Sequence, residues 1–300
     1  MAEFALKGEQ RVFMTGNEVC AWACVAAKAD IMYGYPITPQ NEIMHYWTRL
    51  APKRGKRFLQ TEDEISAGFT TLGGVMSGRK AFTATAGPGN VLMQEAASMA
   101  EMMRLPVVMI IQQRGGPSTA TVIYSQQELT LTTFGGNGEG HRIVYSTSNH
   151  QELFDYTIKS FNAAWTYRFP TFVLGDGYQA KMRESLTMYD PEERGIKLVP
   201  AVPMIGDTQN PDRPLEICVI PIIPKKSCLR SLWTIRKIGM RWPPRWWNGM
   251  SAAAPMPTPL SSVMAWWRVR QSALMKRCAP QAKKSATSVR SRCDHFPAIS

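Results

Sequence analysis

Three acidic residues, Glu62, Asp63 and Glu64, lie where a short apolar segment gives way to small side chains. A carboxyl group can accept, donate or share a proton, so this cluster is a candidate for acid–base chemistry. Negative charge also interacts favourably with the positive end of a helix dipole, and an ordinary solvated helix start is the alternative. The small residues from Ile65 to Gly68 favour a site, because they let a ligand or another chain segment approach the backbone closely.

Arg114 and Thr38 are two further candidates for binding. Arg114 follows an apolar segment, 106–113, and precedes Gly115-Gly116. A guanidinium in that place can bind a carboxylate or phosphate through two parallel hydrogen bonds; a surface arginine before a turn is the alternative. Thr38 lies between two prolines in the turn 35–39, which stiffen the backbone around its hydroxyl. An ordinary loop with Thr38 as a helix cap explains the same pattern.

Strand and helix patterns alternate around these residues. The acidic cluster follows a predicted strand at 58–60, and the turn Gly87-Pro88-Gly89 follows another at 80–84 and opens a helix. Alternation at this spacing predicts an α/β fold, a doubly wound parallel sheet flanked by helices. Open sheets of this kind bind ligands at the carboxyl ends of their strands, where the acidic cluster is expected.

The remaining predicted elements have less direct bearing on the site. Asn17 is a possible cap for the first helix. Apolar periodicity predicts helices at 16–28, about 40–50, 91–103, 126–133 and 149–167, and strands at 30–35, 106–113, about 142–145 and 170–174.

Composition limits the class of protein. The 300 residues contain no run of about 18 apolar residues that would span a membrane, and the first residues lack a signal-peptide pattern. We therefore expect a cytoplasmic protein. The six cysteines have no paired metal-binding spacing, and Cys20 and Cys24 lie in an alanine-rich helical segment, which indicates buried small residues.

The net charge of +12 belongs to one part of the chain. Residues 219–300 contain 15 Lys and Arg and a single acid, Asp294, whereas residues 1–218 contain 20 basic and 22 acidic residues. A basic surface over the whole protein is therefore excluded, and nucleic-acid binding remains only as a hypothesis about the tail.

The segment Gly175-Asp176-Gly177 resembles the start of the metal–diphosphate motif of thiamine enzymes. That motif ends about 25 to 30 residues later in paired asparagines, but Asn210 stands alone before Pro211. We interpret the segment as a strand-end turn and predict no metal site on this chain.

Six motifs in order resemble the α subunit, with its pyrimidine-binding domain, of the 2-oxoacid:ferredoxin oxidoreductases. The resemblance covers about residues 10–218 and is strongest to the multi-subunit branch. The motifs are GNE at 16–18, GYPITP at 34–39, EDEISA at 62–67, FTATAGPG at 82–89, QRGGPST at 113–119 and GGNGEGHRIV at 135–144.

The resemblance implies a role for each candidate. Thiamine diphosphate lies between two subunits in this family, and Glu64 matches the glutamate that hydrogen-bonds the aminopyrimidine ring, with Glu62 as the second choice. The turn Gly87-Pro88-Gly89 would also contact the cofactor. Thr38 matches a threonine that contacts the substrate, and Arg114 matches the arginine that binds the substrate carboxylate.

The resemblance also implies a reaction and partners. The reaction is coenzyme A-dependent oxidative decarboxylation of a 2-oxoacid such as 2-oxoglutarate, pyruvate or an aromatic 2-oxoacid, with electrons passed to ferredoxin. A β subunit would bind the diphosphate and Mg²⁺, and [4Fe-4S] clusters would belong to partner subunits, among them γ and a ferredoxin-like δ. This chain alone would be inactive. A non-oxidative thiamine-dependent 2-oxoacid decarboxylase is the alternative enzyme.

Two departures from the family pattern concern the substrate. Gln126-Gln127-Glu128 stands where relatives commonly carry Gln-Gly-Asp, and Asn137 stands where they often carry histidine. Both lie near the expected substrate pocket.

The sequence divides at about residue 200. We predict a pyrimidine-binding domain at 1–200, a linker at 201–218 and, in place of a second α/β domain, a poorly ordered basic tail at 219–300. This tail holds six of the nine tryptophans and shows no sustained helical or strand periodicity.

The codons of Met256 to Val269, read in a shifted frame, permit Ala-Asp-Thr-Leu-Val-Val-Gly-Tyr-Gly-Val-Val-Ala-Arg, a sequence typical of a buried strand followed by a glycine turn. We therefore prefer the hypothesis that the tail is an out-of-frame translation.

Overall fold

A computed structural model describes residues 8–119, 122–137 and 140–204. Most of the predicted linker and the whole predicted tail lie outside the described residues. The described strands are Gln10–Thr15 (β1), Ile31–Gly34 (β2), Arg57–Gln60 (β3), Ala81–Thr85 (β4), Val108–Gln113 (β5), Ile143–Ser146 (β6), Thr171–Asp176 (β7) and Arg183–Met188 (β8). The described α-helices are Gly16–Ala26 (α1), Asn41–Leu50 (α2), Glu64–Met76 (α3), Pro88–Leu92 (α4), Gln94–Met103 (α5), Leu129–Phe134 (α6), His150–Tyr167 (α7) and Gly177–Lys181 (α8), and a 3₁₀ turn covers Pro52–Arg54.

Six of the described strands form one parallel sheet in the order β3-β2-β4-β5-β7-β6. The chain places β3 on one side of β2 and then β4 on the other, so its direction across the sheet reverses there. Such a reversal leaves a crevice at the carboxyl ends of the strands, where open α/β sheets bind ligands. The predicted doubly wound parallel sheet is confirmed.

Apolar cores lie on both faces of the sheet. Strand β5 contributes to both, with Val108 and Ile110 in one core and Met109 and Ile111 in the other. Helices α1, α2 and α7 cover the first face, and α3 and α5 cover the second. A strand covered on both sides is apolar at successive positions, which is why its sequence is a continuous apolar run.

The antiparallel pair of β1 and β8 was not predicted. The two strands pair from Gln10 with Met188 to Thr15 with Arg183. The two strands are far apart in the sequence, so no hairpin turn joins them and no local sequence pattern predicts their pairing.

Several predicted element ends were wrong. The helix predicted at 91–103 is two helices, since α4 begins at Pro88 and ends at Leu92, and α5 begins at Gln94. Proline fits the first position of a helix, since it lacks the N–H that would have no partner there. The helix predicted from residue 126 begins only at Leu129.

The predicted cap Asn17 was also wrong. Thr15 caps α1, its side chain accepting a hydrogen bond from the Glu18 N–H, and Asn17 is buried inside the helix. The segment read as a strand-end turn does end β7, and Asp176 then caps α8 by accepting a hydrogen bond from the Gln179 N–H.

Candidate functional site

The four predicted site segments follow four neighbouring strands. Thr38 follows β2, Glu64 opens α3 after β3, the turn Gly87–Gly89 follows β4, and Arg114 follows β5. These strands are parallel and adjacent in the sheet, so their carboxyl ends meet at one edge. The fold therefore gathers residues from four separate motifs along the crevice.

The three clustered acids occupy different environments. Asp63 caps α3, its side chain accepting a hydrogen bond from the Ser66 N–H at 2.6 Å. That hydrogen bond lowers the pKa of Asp63. Glu62 is exposed, whereas Glu64 is only 6% exposed. Burial thus distinguishes Glu64 from its two neighbours.

Burial also changes the acidity of Glu64. Loss of solvent is the largest effect and raises the pKa of its carboxyl, and the negative charge of Asp63 adds to the rise. The backbone N–H of Glu64 and the Arg114 guanidinium act in the opposite direction without cancelling it. Glu64 therefore holds a proton at higher pH than an exposed glutamate would.

The turn Gly87–Gly89 lies between Glu64 and Arg114. A Cβ atom added at Gly89 would lie 2.7 Å from Glu64 Cγ and 2.8 Å from Glu64 Oε1. One added at Gly87 would lie 2.6 Å from Arg114 Nε, and Gly87 has a φ of +52°. Glycine is required at both positions, because the backbone itself packs against the two functional side chains.

Arg114 is buried at the end of β5, only 4% exposed, so the surface-arginine alternative is wrong. Its Nη1 donates a hydrogen bond to the Thr38 carbonyl oxygen at 2.8 Å. Within the described residues its Nε, which is buried, has no hydrogen-bond partner. A buried N–H of this kind is a ready donor for an anionic group.

The Thr38 turn is held from two sides. Asn17 Nδ2 donates to the Pro39 carbonyl at 2.8 Å, and Gln40 Nε2 donates to the Tyr35 carbonyl at 2.8 Å. Thr38 itself is exposed and does not cap α2, which follows Gln40 without a side-chain cap. Its side chain is thus available to a ligand, while its backbone is fixed.

Glu128 is a buried acid in the segment 126–128 that the sequence placed near the substrate pocket, but sequence reasoning assigned it no role. It is 5% exposed, and its carboxylate accepts hydrogen bonds from the Gly87 N–H at 2.7 Å, the Arg114 N–H at 2.8 Å and Asn90 Nδ2 at 2.9 Å. Burial raises the pKa of Glu128, against the effect of these donors. The available signal was its isolation, since it is the only charged residue between Gly115 and Gly138.

The described residues provide no metal site. No group of three or more His, Cys, Asp or Glu among them could hold a metal ion. Cys20 and Cys24 are free and buried in α1. None of the described helices is long and apolar enough to cross a membrane.

Known proteins resemble this chain over the same region. A family model described as "Pyruvate flavodoxin/ferredoxin oxidoreductase, thiamine diP-bdg" matches residues 22–217. The 2-oxoglutarate synthase subunit KorA of Methanocaldococcus jannaschii is 38% identical, covering 66% of this chain and 59% of the relative. The ketoisovalerate oxidoreductase subunit VorB of Methanothermobacter thermautotrophicus is 35% identical, covering 59% of this chain and 50% of the relative.

A solved structure is also similar. It is a 2-oxoglutarate:ferredoxin oxidoreductase from Magnetococcus marinus with 2-oxoglutarate, coenzyme A and succinyl-CoA bound. It superposes with a TM-score of 0.60 at 32% identity, covering 67% of this chain and 34% of that one. This chain spans a little over half the length of the curated relatives it matches. The family match covers most of the chain, and the chain belongs to the thiamine diphosphate-binding family of the pyruvate flavodoxin/ferredoxin oxidoreductases.

Proposed function

We propose that this chain supplies the pyrimidine-binding half of a thiamine diphosphate cleft in a 2-oxoacid:ferredoxin oxidoreductase. Glu64 is the carboxyl group that shares a proton with the aminopyrimidine ring. The observation that carries the proposal is the burial of Glu64 at the ligand-binding edge of the sheet, against Gly89. A buried carboxyl with a raised pKa is suited to holding and returning a proton.

The residues at this edge fit the cofactor. The absence of a side chain at Gly89 lets the turn pack directly against Glu64 and Thr85, so these groups lie together at the edge where the ring would bind. Thr85 Oγ1 and Arg114 Nε are buried polar atoms without hydrogen-bond partners in the described part of the chain. When bound, thiamine diphosphate supplies the carbon nucleophile that attacks the carbonyl carbon of a 2-oxoacid.

Two other residues bind the substrate in this proposal. The Arg114 guanidinium binds the carboxylate of the 2-oxoacid, since it is buried, positively charged and has an unpaired N–H. The Thr38 hydroxyl, held beside Arg114 by the hydrogen bond to the Thr38 carbonyl, donates to the substrate. Relatives named for 2-oxoglutarate and ketoisovalerate support a 2-oxoacid, and 2-oxoglutarate is the first to test.

The other half of the cleft belongs to a partner subunit. Ile65 and Phe69, one helical turn apart on α3 next to Glu64, are 41% and 38% exposed, and Val91 and Leu92 on α4 are also exposed. An apolar surface beside a cofactor cleft is suited to a protein interface. We propose that a β subunit covers it and holds the diphosphate and Mg²⁺, while γ and δ subunits carry the iron–sulfur clusters that pass electrons to ferredoxin.

The test is Glu64→Gln in a complex reconstituted with the thiamine-binding partner. Gln keeps the shape of the side chain but cannot exchange the proton, so 2-oxoglutarate- and coenzyme A-dependent reduction of ferredoxin should fall about 100-fold or more. Assembly, measured by size-exclusion chromatography, should not change. Glu62→Gln, two residues away and exposed, is the matched control and should keep near-normal turnover. Normal turnover by the Glu64 variant would remove that residue from the role.

A further inference from the structure

We infer that Glu128 is a positioning residue that fixes the cofactor turn and the substrate-binding arginine relative to each other. This inference rests on the proposed function, and it assigns a role to a residue that touches neither cofactor nor substrate. Glu128 acts through the backbone of Gly87, in the turn beside Glu64, and through the backbone of Arg114.

One carboxylate joins three separate elements. Its Oε1 accepts from the Gly87 N–H before α4 and from the Arg114 N–H after β5, and its Oε2 accepts from Asn90 Nδ2 within α4. The turn after β4 and the end of β5 thus share a single acceptor atom. A displacement of Glu128 would release both segments at once.

Every contact of this carboxylate is with a donor. The ionised form can accept all three hydrogen bonds, because a carboxylate carries only acceptors. A glutamine at this position would face a donor in either orientation. With its oxygen toward Gly87 and Arg114, its NH₂ meets Asn90 Nδ2 and the side chain is pushed away; turned over, its NH₂ meets the two backbone N–H groups. Hydrogen bonds to a buried ionised group are stronger than neutral ones, so the loss should be large.

A network behind Glu128 prevents Asn90 from turning to compensate. Asn90 Nδ2 also donates to Thr132 Oγ1 at 2.9 Å, and Asn90 Oδ1 accepts from Gln94 Nε2 at 2.9 Å. Gln94 Oε1 in turn accepts from Arg142 Nη1 at 2.7 Å. The amide of Asn90 is therefore fixed as a donor toward Glu128.

The position of Glu128 in the chain is held as well. Its own N–H donates to Gln113 Oε1 at 3.2 Å, and Gln113 Nε2 donates to the Gly175 carbonyl at 3.1 Å. Gln113 is buried at the end of β5, next to Arg114. Glu128 is thus held to the sheet through Gln113, and it can in turn hold the Gly87 turn and the Arg114 backbone in place.

The experiment compares Glu128→Gln with Thr132→Val in the complex reconstituted with the thiamine-binding partner. Both variants remove a hydrogen-bonding group from the same buried network, but only the first faces Gly87 and Arg114. For Glu128→Gln, the KM for 2-oxoglutarate and the thiamine diphosphate concentration for half-maximal activity should each rise about 10- to 100-fold. Thr132→Val should lower the midpoint of thermal unfolding and leave both constants within about 2-fold of wild type, because Gln94 Nε2 still holds the Asn90 amide turned toward Glu128.

A double-mutant cycle tests whether the effect on substrate passes through Arg114. In an Arg114→Lys background, the Glu128→Gln change should add less than about 3-fold to the KM, because both changes weaken the same contact. If Glu128→Gln does not fold, Glu128→Asp replaces it; the shorter carboxylate cannot reach all three donors and should give a smaller rise in both constants.

The outcomes separate this inference from the proposed function. Normal constants in the Glu128 variants, with lowered thermal stability alone, would show a merely structural role and overturn the inference while the proposed function stands. A full, additive KM effect in the Arg114→Lys background would also overturn it. A wild-type complex without any 2-oxoacid-dependent turnover would overturn the proposed function first.

Discussion

Two buried carboxyl groups at one edge of the sheet have opposite surroundings. Glu128 accepts hydrogen bonds from three donors, whereas no described side chain donates one to Glu64. Burial raises the pKa of both groups, but the three donors fix the orientation of the Glu128 carboxyl, whereas the Glu64 carboxyl is free of side-chain donors in the described residues. This contrast supports two different proposed roles: Glu128 positions the site, and Glu64 exchanges a proton.

The raised pKa of Glu64 has a consequence for stability. Above the ordinary glutamate pKa, the folded state binds more protons at this residue than the unfolded state does, so stability falls as the pH rises through that range. Glu64→Gln cannot ionise and should avoid this loss. We expect the variant to be more stable than wild type at pH 7 by about 1 kcal/mol, as is common for functional residues, with the difference vanishing near pH 4.

Urea unfolding of both proteins at pH 7 and pH 4 measures this effect. Glu62→Gln is the control, because it removes one carboxyl from the same acidic cluster at an exposed position and leaves the buried Glu64 in place. If Glu64→Gln were less stable than wild type at pH 7, the carboxylate would be a stabilising group and the assigned direction of its pKa would be wrong.

Sequence reasoning predicted roles for three candidate site residues and none for Glu128, for a physical reason. Glu64, Thr38 and Arg114 each lie in a local motif with turn residues around them. The segment around Glu128 does not reveal its role, since its partners Gly87 and Asn90 are 41 and 38 residues away in the sequence. A contact of that kind exists only once strands β4 and β5 are paired.

At the scale of elements, the sheet was predictable because each central strand carries its own signal. The run before Arg114 is apolar at successive positions, and burial on both faces of β5 explains it. The pair of β1 and β8 carries alternating, partly polar sequences at distant positions, so tertiary pairing alone defines it. The break at Met93 likewise depends on where Pro88 starts the preceding helix.

The close approach of α4 to α3 gives a prediction at this scale. Gly89→Ala would place a Cβ against Thr85 Oγ1 and 2.7 Å from Glu64 Cγ, so we expect a loss of about 1–3 kcal/mol in the free energy of unfolding. Thiamine diphosphate binding, measured calorimetrically on the reconstituted complex, should weaken with it. The reason is that the added methyl group occupies the space between the turn and Glu64.

Gly73→Ala is the matched control for this change. Gly73 lies on the exposed face of α3 with nothing within 4 Å of an added Cβ. Alanine there should stabilise the helix by about 0.5–1 kcal/mol and leave cofactor binding unchanged. Equal effects of the two substitutions would contradict the packing of α4 on Glu64.

At the scale of the whole molecule, several of the exposed apolar side chains in the described residues lie on the two helices that follow β3 and β4. Ile65 and Phe69 on α3 and Leu92 on α4 flank the cleft, and α3 and α4 contact each other. A partner subunit that completes the cleft would also cover these apolar side chains. In the proposed function, the reaction belongs to the assembly, and this chain contributes the acid and the substrate-binding groups.

The tail allows the last prediction, which concerns the reading frame. The family match ends at residue 217, and the charge balance changes from residue 219 onward. Two unrelated properties thus change within a few residues, as an insertion or deletion of one base would cause. A sequence read out of frame is not selected to bury its tryptophans, so exposed apolar surface and aggregation are expected.

Sequencing the gene across codons 215 to 225 tests whether the tail is read out of frame. We expect one missing or extra base, after which the restored frame encodes the strand and glycine turn permitted by the codons of Met256 to Val269. The restored protein should then be less prone to aggregation than the chain with the basic tail, measured by light scattering. An intact frame would instead make residues 219–300 a genuine segment of the protein. Deleting residues 220–300 would then show whether the tail binds nucleic acid, because nucleic-acid affinity that is lost with the tail belongs to it.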